Sequence, residues 1–146
     1  MKKLRAALIG CGRIGTKKHI EAFAANSDLI DLVAVCDLVP EKAERAAEEY
    51  MKRREISLNR GDEERIREKD ETQNGQSRLP SSPASKPDLQ RPRVISDYKE
   101  LFSSQIDFVT IATESGNHYK NTIDFLSAGK HVLVEKPMAL SSEHMD

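Results

Sequence analysis

The sequence has no tryptophan, only four phenylalanines and three tyrosines, and just two cysteines. Cys11 and Cys36 are too few for a disulfide scaffold, and no C-x-x-C pair marks a metal or redox site. Each ends a predicted strand. They read as small packing thiols, kept reduced as in the cytoplasm, with a redox pair as the alternative. Charge of one sign is also missing. The 23 basic and 24 acidic side chains leave a net charge of −1. That balance calls for neither nucleic acid nor an anionic membrane as a partner. Long apolar runs are absent, and none approaches the roughly 20 residues that span a bilayer. The start, "MKKLRAALIGCG", superficially resembles a signal peptide. Its apolar run is short, Arg5 breaks it, and glycines follow instead of a cleavage site. It reads as a first strand.

Aromatic side chains are missing altogether from residues 52 to 93. The first part, "KRREISLNRGDEERIREKDETQ", is densely charged, and the second holds four of the six prolines. Such a segment buries too little apolar surface to offset its ordering entropy. It predicts a mobile surface loop, with helix able to continue into the charged first half. A long insertion is tolerable because closure entropy grows only logarithmically with length. A tolerated insertion or a gene-model artefact is the favoured reading, and a partner-binding arm is the alternative.

What remains alternates regularly. The length of 146 residues favours one domain. Arg5 to Ile9 predicts a strand, and Arg13 to Ala25 a helix, with Ile14, Ile20, Phe23 and Ala24 at helical spacing. Leu29 to Cys36, "LIDLVAVC", predicts a buried strand. Pro40 opens a helix that runs to about Lys52. After the polar segment, Val94 and Ile95 form a short strand. "SDYKELF" forms a short helix capped by Ser96 or Asp97. Ile106 to Ala112 is a strand. Asn117 to Ala128 is a helix, capped by Asn117 and stopped by Gly129. His131 to Glu135 is the last strand. Alternating strands and helices predict an α/β doubly wound parallel sheet with helices on both faces.

The glycines now have a context. Gly10, Gly12 and Gly15, spaced G-x-G-x-x-G, follow a strand and open a helix. In a dinucleotide site the first makes the tight turn and the second admits the pyrophosphate. The third lets helix and sheet pack closely. The helix N-terminus offers free N–H groups and partial positive charge to phosphates. Arg13 and Ile14 lie in the same turn. Arg13 reads equally as a phosphate contact or as a solvent-exposed arginine. Asp37 follows strand two, where a carboxylate accepts hydrogen bonds from ribose hydroxyls and repels a 2′-phosphate. NAD is therefore the expected cofactor, with NADP disfavoured. A flavin or methyltransferase site is the alternative.

Four stretches, "GCGRIG", "VCD", "IATESGNH" and "AGKHVLVEKPMAL", occur in that order. Together they resemble the N-terminal domain of the glucose–fructose oxidoreductase / inositol dehydrogenase (Gfo/Idh/MocA) family, over residues 3 to 52 and 93 to about 142. The resemblance implies a Rossmann fold and hydride transfer between NAD and a hydroxyl of a sugar or sugar nucleotide. It implies that Lys136 assists catalysis and contacts the nicotinamide ribose, with Glu135 orienting it. Pro137 would fix the direction of the chain, with a cis bond before it as one option. Thr113, Glu114, Asn117 and His118 would line the dinucleotide. For His118, a local hydrogen-bond role is the alternative. Many members have Thr-Pro-Asn where this chain has "TESGNH". The variant resembles members acting on nucleotide-linked amino sugars. His19 and His131 look structural, and His144 lies near the end.

Family members continue past "EKPMAL" into a second domain with a mostly antiparallel sheet. That domain carries most substrate contacts, the usual catalytic histidine and the oligomer interface. The expectation here is an enzyme's cofactor-binding portion, which binds the dinucleotide and turns over little by itself. A stand-alone, non-catalytic binding module or sensor is the alternative. An apolar flank would then lie bare, so the isolated chain is expected either to self-associate into a homo-oligomer or to be marginally stable.

Overall fold

The fold is taken from a computed structural model that describes residues 2–72 and 89–144, with backbone only for 60–72 and 144. Five parallel strands form one sheet in the order β3-β2-β1-β4-β5. They are β1 (Leu4–Ile9), β2 (Ile30–Cys36), β3 (Arg93–Ile95), β4 (Phe108–Ile111) and β5 (His131–Val134). A π-helical turn, Gly15–His19, runs straight into α1 (Ile20–Ala25). The other helices are α2 (Pro40–Thr72) and α3 (Ser115–Ser127).

The central strand shows why the sheet is covered on both sides. Ala6 and Leu8 of β1 join one core with Ile20, Phe23, Ala43, Ala47 and Tyr50 of α1 and α2. Ala7 and Ile9, one residue out of phase, join the other core with Leu101, Val109, Ile111 and Phe125. Side chains alternate across a strand, so a continuous apolar run fills two layers. Each large side chain buried this way contributes about 1.5–3 kcal/mol. The doubly wound parallel sheet predicted from the alternation is the observed fold.

Two boundaries differ from the prediction. Helix α2 does not stop near Lys52 but continues to Thr72. Ala43, Ala46, Ala47 and Tyr50 hold its first part to the sheet. Beyond Arg54, Glu55 and Ile56 are exposed, so the helix has left the core. It needs no core to continue, because arginine, glutamate and lysine are strong helix formers. The charged first half predicted as loop is therefore helix as far as Thr72, the option left open for it. Residues 73–88 of the predicted mobile loop lie outside the described residues. Helix α3 begins at Ser115, with extended Glu114 before it, so Asn117 is inside the first turn rather than at the cap. Asp97, not Ser96, caps the short 3-10 turn Tyr98–Leu101 by accepting from the Lys99 N–H. Gly129 ends α3 with φ at +72°, as predicted for a C-terminal glycine stop.

Candidate functional site

Strand register sets the site. Ile9 pairs with Cys36 on one side and Ile111 on the other, and Ile111 pairs with Val134. The residues that follow, Gly10, Asp37, Ala112 and Glu135, therefore stand in a row along the carboxyl edge of the sheet. Strand order reverses between β1 and β4, the place where open α/β sheets bind ligands.

The three glycines occupy different physical situations. Gly10 has φ at +92°, and a Cβ there would lie 2.5 Å from the Ala112 carbonyl carbon. A Cβ on Gly15 would lie 2.2 Å from the Gly10 carbonyl oxygen. Both positions are closed to any other residue by backbone. Gly12 is the opposite case, since a Cβ there would meet nothing within 4 Å. The chain itself does not require Gly12. Its surroundings are open space at the start of a helix, where the first N–H groups have no intrahelical acceptor. Phosphate fits that opening. Arg13 and Ile14 in this turn are both exposed.

Asp37 is half-buried and braces the turn. Its Oδ2 accepts from the Cys11 N–H at 2.8 Å, and Oδ1 accepts from the Val39 N–H at 2.9 Å. Each carboxylate oxygen keeps a free lone pair, so a ribose hydroxyl can still donate to it. Cys11 and Cys36 lie beneath. Their Sγ–H and carbonyl meet, with the Cys11 thiol donating to the Cys36 oxygen at 3.5 Å. Burial, and then the Asp37 charge, pushes each thiol up to about 12. Protonated thiols are poor nucleophiles. Burial of both thiols fits the reading of the pair as packing residues.

The β4–α3 turn is gripped from below. Thr113 Oγ1 donates to Asn121 Oδ1 at 3.1 Å. Asn121 is buried, and nothing in the sequence singled it out. Glu114 and Asn117 are exposed at the rim. His118 has a different environment from the one expected of a dinucleotide contact. It is 2% exposed, and both ring nitrogens face backbone carbonyls. Nδ1 lies 2.8 Å from the Pro137 oxygen and Nε2 lies 3.0 Å from the Thr113 oxygen. Carbonyl oxygens only accept, so a neutral ring donates to one of them, and a doubly protonated ring donates to both. Both ring nitrogens are thus engaged by backbone carbonyls of the protein.

The last segment of the rim is Glu135, Lys136 and Pro137. The Lys136–Pro137 bond is cis. Lys136 is exposed, and no described residue bonds its ammonium. Glu135 does not reach for Lys136. Its Oε1 lies 2.8 Å from Nε2 of His19, at the end of the π-helical turn. His19, expected to be purely structural, thus joins the glycine-turn helix to β5. The two residues are 116 positions apart in the chain, and no local pattern signals their pairing. His131 is exposed at the start of β5, away from this edge. Among the described residues no cluster of His, Cys, Asp or Glu could hold a metal ion. No described helix is long and apolar enough to cross a membrane.

The sequence matches the family model GFO_IDH_MocA, an oxidoreductase family with an NAD-binding Rossmann fold, over residues 4–59 and 67–146. It is 27% identical over 140 residues to the D-glucoside 3-dehydrogenase of Escherichia coli, covering 96% of this chain and 29% of that protein. It is 37% identical over 59 residues to the NADP-dependent scyllo-inositol 2-dehydrogenase IolW of Bacillus subtilis, covering 40% of this chain and 16% of that protein. Among solved structures it resembles the WlbA dehydrogenase of Chromobacterium violaceum in complex with NADH and UDP-GlcNAcA. The TM-score is 0.67 at 26% identity, over 99% of this chain and 30% of that one. The chain thus spans less than a third of the length of these relatives.

Proposed function

The chain belongs to the Gfo/Idh/MocA oxidoreductase family, and on that premise we propose that it forms the NAD-binding portion of a dehydrogenase acting on a sugar or sugar-nucleotide hydroxyl. The observation that carries this reading is the row of Gly10, Asp37, Thr113 and Lys136 along one sheet edge, with open space above Gly12. The N–H groups of Gly12, Arg13 and Ile14 hold the pyrophosphate, and the Arg13 guanidinium adds a flanking charge. Asp37 accepts from the adenosine ribose. Thr113, Glu114 and Asn117 line the path toward the nicotinamide. Lys136 donates to the nicotinamide ribose and to the substrate hydroxyl, and steadies the negative charge that grows on that oxygen. When bound, the nicotinamide supplies the hydride acceptor.

The substrate class takes its support from the relatives, one of which was solved with UDP-GlcNAcA and another of which is a glucoside dehydrogenase. Cofactor choice takes its support from Asp37. A carboxylate at that position repels a 2′-phosphate, so NAD is preferred over NADP, even though one relative uses NADP. Calorimetric titration of the chain with NADH and, separately, NADPH tests both points. The expected result is saturable NADH binding, at least about tenfold tighter than NADPH, a gap of roughly 1.4 kcal/mol. Exchange of Asp37 for serine should narrow the gap. A folded chain that binds neither dinucleotide refutes the reading, and equal affinities refute the role of Asp37.

A further inference from the structure

Lys136 stands on a short turn where no described residue bonds its ammonium, yet both of its neighbours are held. Glu135 is held by its carboxylate, which meets His19 at 2.8 Å. Pro137 is held by its carbonyl, which meets His118 at 2.8 Å. The two histidines come from different helices on opposite faces of the sheet. His19 ends the turn that begins at Gly15, and His118 lies in the first turns of α3. His118 also grips the Thr113 carbonyl at 3.0 Å, so one ring ties the β4–α3 turn to the turn after β5. Both side chains are largely shielded from water. The His19 side chain is 16% exposed, and His118 is 2% exposed. Shielded hydrogen bonds to charged groups are stronger than solvated ones.

We propose that His19 and His118 are positioning residues that bracket the Glu135–Lys136–Pro137 turn and so set where the Lys136 ammonium stands. Neither touches the cofactor. His19 transmits the position of the glycine-turn helix to Glu135, and His118 transmits that of the β4–α3 turn to Pro137. The bracket makes Lys136 and the glycine turn one rigid unit, although they lie at opposite ends of the chain. This inference rests on the cofactor reading above for its ligand, and on side-chain geometry for the bracket itself.

The test separates the two ends of the dinucleotide. NADH reaches Lys136, whereas ADP engages the glycine turn and Asp37 but carries neither the second ribose nor the nicotinamide. The full chain is compared with His19→Leu, His19→Gln and His118→Asn by calorimetric titration with both ligands. Loss of the bond to Glu135 in His19→Leu, or of the carbonyl contacts of His118 in His118→Asn, should weaken NADH by about tenfold. ADP affinity should stay within about twofold. His19→Gln keeps an N–H donor and should recover part of the NADH affinity. Hydrogen exchange supplies a readout that needs no ligand. Backbone exchange over residues 131–140 should rise in His19→Leu and His118→Asn, while β1 and β4 stay protected. If His118→Asn does not fold, the less buried His19 pair carries the test. Equal losses for NADH and ADP, unchanged NADH affinity, or unchanged exchange over 131–140 would each overturn the proposal. A wild-type chain that binds neither ligand refutes the cofactor reading, and the exchange result still decides whether the bracket holds the turn.

Discussion

The glycine turn after β1 is packed tightly against backbone and braced by the Asp37 carboxylate, whereas the Glu135–Lys136–Pro137 turn after β5 is bracketed by side chains from two helices. At the first, Gly10 lies against the Ala112 main chain and Gly15 against the Gly10 carbonyl, with no room for a Cβ at either. At the second, His19 and His118 reach in from two helices to hold Glu135 and Pro137. The difference teaches what each can tolerate. A turn defined by excluded volume fails abruptly when one carbon is added. A turn defined by hydrogen bonds loosens by degrees.

The largest effect should come from adding that carbon. Gly10→Ala places a Cβ into the Ala112 backbone at a positive φ, and should destabilise the fold by about 3 kcal/mol or more. Urea unfolding reads this directly. A midpoint equal to wild type would break the contrast between the two turns. Gly12→Ala sharpens the contrast. Its Cβ enters open space, so unfolding should shift by less than about 0.5 kcal/mol. NADH binding should nevertheless fall by roughly tenfold, because the methyl group occupies the phosphate's approach. A Gly12→Ala chain that binds normally would move the phosphate elsewhere.

The smallest effect concerns the thiols under the glycine turn. Burial raises both from 9.0 to about 12. Well below pH 9 the folded and unfolded chains both keep these protons, so the thiols add no pH dependence there. As pH climbs from 9 toward 12 the unfolded chain ionises first, and stability falls. A Cys11→Ala/Cys36→Ala double variant should lose that part of the alkaline slope in denaturant titrations. The same slope in variant and wild type would mean the thiols ionise freely in the folded chain.

Much of the architecture was legible in the residues. Val, Ile and Leu runs marked the strands because parallel strands are buried on both faces. Asp37 and the glycines stood at readable spacings because their task is local. Gly129 announced the end of α3 because few residues accept a positive φ. Other features were not legible. Charge density marked Lys52 onward as leaving the core, but helix propensity carried α2 on to Thr72. Asn117 looked like a cap, yet Ser115 and Gly116 also wound into α3. Glu135 looked like the partner of Lys136, and only the assembled sheet brings it to His19.

The sequence by itself determined the alternation of strands and helices, the glycine turn and the acidic residue beside it. These follow from chain-local physics: side-chain periodicity, allowed φ and ψ, and the end groups of a helix. The tertiary structure alone decided which side chains hold the lysine turn. His19 and Glu135 are 116 residues apart, and His118 and Pro137 are 19 apart. A hydrogen bond requires atoms within about 3 Å. Stacking β1, β4 and β5 in register is what brings these atoms that close.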